Sequence, residues 1–322
     1  MIRPAAVSAF AALAVATTAL TPISAAQAAQ AASPAEPAAA TSASKANIAV
    51  PPIVYRERTL ANGLKVYASR DVTTPNVTVQ VWYGVGSKDD PIGRSGFAHL
   101  FEHLMFKSTR NMPNEMLDRL TEDVGGFNNA STADDFTNYF EVVPANHLQR
   151  LLWAEADRLG SLVIDEAVFK SERDVVKEEL RQRVLANPYG RFLTNIPRAS
   201  YSVHPYQRPG IGSIEELDAA TVDDVRAFHA AYYRPDNAAL IVVGNFDDAQ
   251  LDAWIDQYFG PLKTPAAPIK AVTAVEPPRV GPRTVPTSGP NVPLPAVAIT
   301  WRAPPAVDPD VPALAVLDAI LS

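Results

Sequence analysis

Residues 98–106 read AHLFEHLMF, so His99, Glu102 and His103 stand in the order His-x-x-Glu-His. Two of the chain's five histidines thus lie one helical turn apart, beside a carboxylate, in an otherwise apolar run. On a helix, positions four apart share a face, and His99 and His103 can hold one ion between their imidazoles. Glu102 borders that face and can reach a water on the ion rather than the ion itself. This suits metal-assisted hydrolysis, in which the metal lowers the pKa of water and a carboxylate takes the proton. The order inverts that of the usual zinc-protease helix. The competing view is a pair of surface histidines on an amphipathic helix. Leu100, Phe101, Leu104, Met105 and Phe106 argue against it, because they spread apolar surface over several faces. Buried imidazoles without partners are costly.

The chain has no cysteine, so any further ligand must be His, Asp or Glu. A catalytic zinc usually keeps three protein ligands and one open position. The best source of a third is the acidic stretch ERDVVKEELR at residues 172–181. Glu172 and Glu179 are two helical turns apart on one face, and Val175, Val176 and Leu180 lie near that side. Glu178, Lys177 and Arg181 then face outward. A solvated, salt-bridged helix fits the same charge run, and only the need for a third ligand singles out Glu179. His147, His204 and His229 read as structural. Gly125-Gly126 lacks the spacing and the lysine of a phosphate loop.

The elements that must position these groups show in the periodicity. Asn62-Gly63 sits between two strand-like runs, a hairpin signal. Val77 to Tyr83 alternates, with apolar odd positions, as a half-buried strand does. Helix is expected from Phe97 to about Lys107, after Pro113 up to Gly125, from Ala145 to Leu159, and from Asp165 to about Ala186. Phe136 to Val143 and Ala238 to Val243 read as strands. Thr221 can cap a helix, and Asp247 to Phe259 forms the last helix of the unit. Phe228, Tyr232, Tyr233 and Trp254 read as core. The mixture predicts an α+β fold, a mainly antiparallel sheet covered by helices on one face.

The 322 residues divide by composition. Arg3, the apolar run Val7–Leu20 and Ala26-Gln27-Ala28 match an export signal over 1–28, cut after Ala28. The run falls short of the ~20 residues a membrane span needs. The expected location is therefore periplasmic or secreted, with no membrane span after signal removal. Residues 29–52 form a flexible Ala/Pro/Ser-rich leader, and 53–262 the main domain. Ten prolines between Pro261 and Pro295 mark a linker over 263–295. Ala296–Trp301 then reads as a strand and Val311–Leu321 as a helix, which makes 296–322 the expected truncated start of a second, similar domain. The net charge of −7 argues against nucleic acid as a partner.

Several motifs in order resemble the pitrilysin and insulinase family of inverted-motif zinc peptidases, which includes the mitochondrial processing peptidases. They are His99-x-x-Glu102-His103, the later ERDVVKEEL, and Gly125–Thr132 followed by Thr137-Asn138-Tyr139. His204-Pro205-Tyr206 with Gly210-Ile211-Gly212, and Tyr233-Arg234-Pro235 before Ala238–Asn245, complete the series. The resemblance implies one zinc per chain, held by His99, His103 and Glu179. It implies Glu102 as general base and Glu172 as an acidic support of the metal site. It also implies that Asn129, Ala130, Ser131 and Thr132 are a strand edge that pairs with substrate backbone, which favours extended or unfolded peptides. Residues 53–262 become the zinc peptidase domain. The family's second domain contributes an Arg and Tyr pair that 296–322 cannot supply. The expectation is thus a metal-bearing half, a zinc endopeptidase that works with a second, non-metal-bearing homologous domain or chain. The alternative is a non-catalytic peptide-binding or assembly protein that keeps the fold. Such relatives typically lose a motif residue, and this chain keeps them all.

Overall fold

Asn62 and Gly63 turn the chain between β1 (Arg56–Thr59) and β2 (Lys65–Arg70), which pair antiparallel with Thr59 opposite Lys65. The computed structural model describes residues 51–321. The export signal expected over 1–28 and the leader up to residue 50 lie outside the described residues. All elements below belong to the unit Pro52–Ser322.

β3 (Asn76–Tyr83) buries Val77, Val79, Val81 and Tyr83 and leaves the residues between them half-buried. That alternation is the period of two of a strand with one face on a core. Next come α1 (Phe97–Leu104), α2 (Met116–Glu122), β4 (Phe127–Thr132), β5 (Thr137–Pro144), α3 (Leu148–Ser161) and α4 (Glu166–Leu180). α5 (Gly190–Ser200), α6 (Ile214–Asp218), α7 (Val222–Tyr232), β6 (Ala238–Gly244) and α8 (Asp248–Tyr258) follow. Among the described residues the strands form one sheet in the order β1-β2-β6-β3-β5-β4. β6 runs parallel to β2, and every other pairing is antiparallel. This is the expected α+β fold. The core lies between the sheet and its helices, where Leu151, Leu152, Phe97, Phe101 and Phe228 meet Val79, Val81 and Leu240. Thr221 caps α7 in a reciprocal box with Asp224, as its position implied.

Three expectations are corrected. α4 does not run as regular α-helix to Ala186; it passes at Arg181 into a single π-turn, Arg181–Leu185. Val175 is exposed, whereas Val176 is fully buried. Two valines in sequence are about 100° apart on a helix, and only one can face the core. Ala296–Trp301 is not a strand. Val297, Ile299 and Trp301 are exposed, and among the described residues no neighbouring strand offers them a ladder. α5 and α6 were not anticipated, because α5 carries Pro197 inside it and α6 has only five residues.

The proline-rich stretch is held to the domain by polar contacts. The Glu276 carboxylate accepts from the backbone N–H of Ser202, Val203 and His204 and from the Ser202 hydroxyl. Those bonds lower its pKa to about 2. The last element, α9 (Val311–Leu321), is exposed from Pro312 onward. No helix among the described residues is long and apolar enough to cross a membrane.

Candidate metal centre

α1 is a short helix whose start is clamped by its neighbours. The Asp90 carboxylate accepts from the N–H groups of Gly96 (2.7 Å) and Ala98 (2.9 Å), two donors that the first turn leaves unpaired. Glu216 accepts from Ser95 N at 2.6 Å. Gly96 has φ +92° and packs backbone to backbone on Gly212, φ +83°; a Cβ on Gly212 would lie 2.4 Å from Ser95 O. Only glycine fits such an approach in that conformation. Phe97, Leu100, Phe101 and Leu104 are fully buried. The remaining face of α1 carries His99 and His103 toward α4.

α4 is capped by Asp165, which accepts from Val168 N. It buries Phe169, Glu172, Val176 and Leu180. That stripe also brings Glu179 over α1. Glu179 Oε2 lies 3.2 Å from His99 Nε2 and 3.3 Å from His103 Nε2. The three ligand atoms lie within 4.8 Å of one another, and among the described residues this is the cluster of such side chains that could hold a metal ion. Ligand atoms about 2.05 Å from a tetrahedral zinc are separated by roughly 3.3 Å, and two imidazole nitrogens with one carboxylate oxygen form a common zinc donor set. The residues therefore fit the ion.

Glu102 Oε2 stands 3.4 Å from His99 Nδ1 and accepts a hydrogen bond from the Thr132 hydroxyl at 2.6 Å. Burial opposes its charge, yet the bonds from His99 and Thr132 outweigh burial and keep its pKa below the usual glutamate value. Burial also disfavours a charged His99. The carboxylates of Glu102 and Glu179 overcome that and raise its pKa, whereas burial and the neighbouring His99 lower that of His103. Glu172 reaches the far side of His103, with Oε2 3.8 Å from Nδ1, and its other oxygen meets Lys107 Nζ at 3.0 Å.

Every residue assigned to the metal from sequence thus lies at this place. Asn129, Ala130, Ser131 and Thr132 lie on β4, which is an edge of the sheet. Lys107 and Arg183 were missed. Arg183 Nη1 binds Glu179 Oε1 at 2.6 Å. Arg183 stands four residues after Glu179, a spacing that brings side chains together along a helix, whereas Lys107 lies beyond the end of α1 and reaches Glu172 only through the fold. His147 precedes α3, and His204 Nδ1 accepts from Tyr206 N. His229 is half-buried, against Phe101 and Tyr233.

Comparison with known proteins agrees with this architecture. The model of the insulinase family, peptidase family M16, matches residues 65–213. The model of the peptidase M16 inactive domain matches residues 219–322. The zinc protease PqqE of Helicobacter pylori is 35% identical over 265 residues, which is 82% of this chain and 60% of that protein. A probable mitochondrial-processing peptidase subunit beta of Arabidopsis thaliana is 26% identical over 266 residues, 83% of this chain and 50% of that one. The crystal structure of a protease from Helicobacter pylori superposes with a TM-score of 0.66 at 35% identity, covering 70% of this chain and 54% of the other. The periplasmic protease PqqL from Escherichia coli shares the fold, with a TM-score of 0.62 at 24% identity over 70% of this chain and 26% of that one. The chain belongs to the insulinase family of metallopeptidases. It spans 60% of the length of the Helicobacter relative and 50% of the Arabidopsis one.

Proposed function

We propose that the chain is the metal-bearing part of a zinc endopeptidase that hydrolyses bonds in extended peptides. The observation that carries the reading is the convergence of His99, His103 and Glu179, with the Glu102 carboxylate at its rim. One zinc, held by those three side chains, would supply a Lewis acid that polarises the scissile carbonyl and acidifies water. Glu102 accepts the proton of the attacking water and passes it to the leaving amine. The hydrogen bond from Thr132 favours its carboxylate form. Glu172 orients His103 from behind, with Lys107 as its counter-charge.

The free edge of β4 supports strand addition by an extended peptide. Ala130 N is bonded there by the neighbouring Asn129 side chain at 2.8 Å, a bond that a substrate carbonyl can replace. Asn129, Ala130, Ser131 and Thr132 are the residues proposed to meet that peptide. A second, non-metal-bearing domain or chain completes the working unit. The export signal read from sequence and the fold shared with a periplasmic protease support a periplasmic or secreted location. The domain boundaries proposed are 1–28, 29–52, 53–262, 263–295 and 296–322.

The test is zinc content together with cleavage of an unfolded fluorogenic peptide by the purified chain, beside Glu102→Gln. About one zinc in both proteins, with cleavage lost in the variant, is the expected result. Cleavage that survives Glu102→Gln removes Glu102 from the reaction.

A further inference from the structure

We propose that Thr132 is a positioning residue, which holds the Glu102 carboxylate at the metal centre from the strand that the peptide joins. The inference rests on the endopeptidase reading above for its kinetic consequences, but its structural content stands apart from it.

Thr132 is the last residue of β4, and among the described residues β4 is paired on one side only, with β5. Its neighbours alternate. Phe127, Asn129 and Ser131 are exposed, whereas Asn128, Ala130 and Thr132 are half-buried on the helix side. Thr132 Oγ1 donates to Glu102 Oε2 at 2.6 Å, the oxygen that also faces His99 Nδ1 at 3.4 Å. A glutamate on a helix surface has three side-chain torsions to lose before it can act as a base in one place. The hydroxyl fixes that choice, and β-branching restricts its own torsion.

The donor is itself anchored. Thr132 pairs with Thr137 across the hairpin. The next residue, Ala133, donates to Phe136 O at 2.8 Å and accepts from Ser87 N at 3.1 Å. The open edge therefore ends at Thr132, where the chain from Ser87 closes it. A peptide added along β4 takes its register from the same strand whose last side chain sets the base. Thr132 thus links where the backbone docks to where the proton is taken.

The experiment uses the full chain and the variants Thr132→Val, Thr132→Ser, Glu102→Ala and Thr132→Val/Glu102→Ala. Thermal midpoints of the metal-free proteins close a double-mutant cycle. Thr132→Val should lower the midpoint by about 2–4 °C in the otherwise unaltered chain, and have no such effect once Glu102 is Ala. Additive shifts would overturn the proposal. With zinc bound and an unfolded fluorogenic peptide as substrate, Thr132→Val should lower kcat by about 10- to 100-fold. KM should stay within about twofold, zinc content should be unchanged, and Thr132→Ser should restore turnover. A raised KM with kcat unchanged would mean that the Thr132 side chain serves substrate binding alone and does not hold Glu102, and would also overturn the proposal. If the unaltered chain cleaves nothing, the endopeptidase reading loses its support for this chain alone, while the midpoint cycle still decides the bond.

Discussion

Glu179 Oε2 lies 3.2 Å from His99 Nε2, although eighty positions separate the two residues. The contact joins α1 to α4 and brings the third ligand atom to the pair on α1. Glu179→Gln removes the anionic ligand and should weaken zinc binding most. Glu172→Gln leaves the ligands in place but withdraws the support behind His103. Such changes typically weaken binding by about 10- to 100-fold. Competition against a chromogenic chelator measures both. A Glu172→Gln affinity equal to the unaltered chain's would leave Glu172 with no part in the site.

Gly212 meets Gly96 where no side chain fits. Gly212→Ala places a Cβ 2.4 Å from Ser95 O at a residue with φ +83°. The left-handed conformation alone costs a non-glycine residue about 1–3 kcal/mol, and the backbone contact adds to it. The start of α1 must move, so zinc affinity should fall together with stability in urea unfolding. Loss of stability with zinc affinity intact would show that the clamp does not position the histidines.

Arg158 is enclosed with Glu155 and Glu141, all at most 1% exposed. Its Nη2 lies 2.6 Å from both oxygens of Glu155 and 3.1 Å from Glu141 Oε1, and its guanidinium sits 4.5 Å from the centre of the Tyr139 ring. Burial, then the adjacent Glu155, raises the pKa of Glu141 well above the usual range. Arg158→Met would remove the cation that faces both enclosed carboxyl groups. Breaking a buried pair in this way costs about 3–5 kcal/mol, read from denaturant unfolding at pH 7. A loss under ~1 kcal/mol, the scale of a surface pair, would mean that the cluster adds no more than one.

His229 stacks on Phe101 and Tyr233, with ring centroids 5.8 and 5.4 Å apart. Burial lowers its pKa to about 4, and its Nε2 has no hydrogen-bond partner among the described residues. An unfolded histidine titrates near 6.5. Between those values the unfolded chain binds the proton and the fold does not. The contribution is therefore complete above about pH 6.5 and is lost as pH falls through about 4. His229→Phe abolishes the titration. The stability difference between the two proteins should change by about 3 kcal/mol from pH 7 to pH 4. Parallel pH curves would show that His229 is not held neutral.

What the sequence determined by itself is what repeats over one or two helical turns. His99, Glu102 and His103 share a face because of the helical period, and Glu172 and Glu179 do so for the same reason. The Asn62-Gly63 turn, the alternation of Val77–Tyr83 and the Thr221 cap are local in the same sense, and all appear where the residues imply. Tertiary structure decided which distant segments meet. It set β6 between β2 and β3, it chose Val176 over Val175 for the core, and it left Ala296–Trp301 without a ladder. It also turned Thr132 from a residue of a docking edge into a donor to Glu102, and placed Lys107 against Glu172. The physical reason is the range of each effect. Backbone geometry repeats within a few residues and is written in the spacing of side chains. Which carboxylate meets which hydroxyl or amine across the fold depends on packing, which no single stretch of sequence contains.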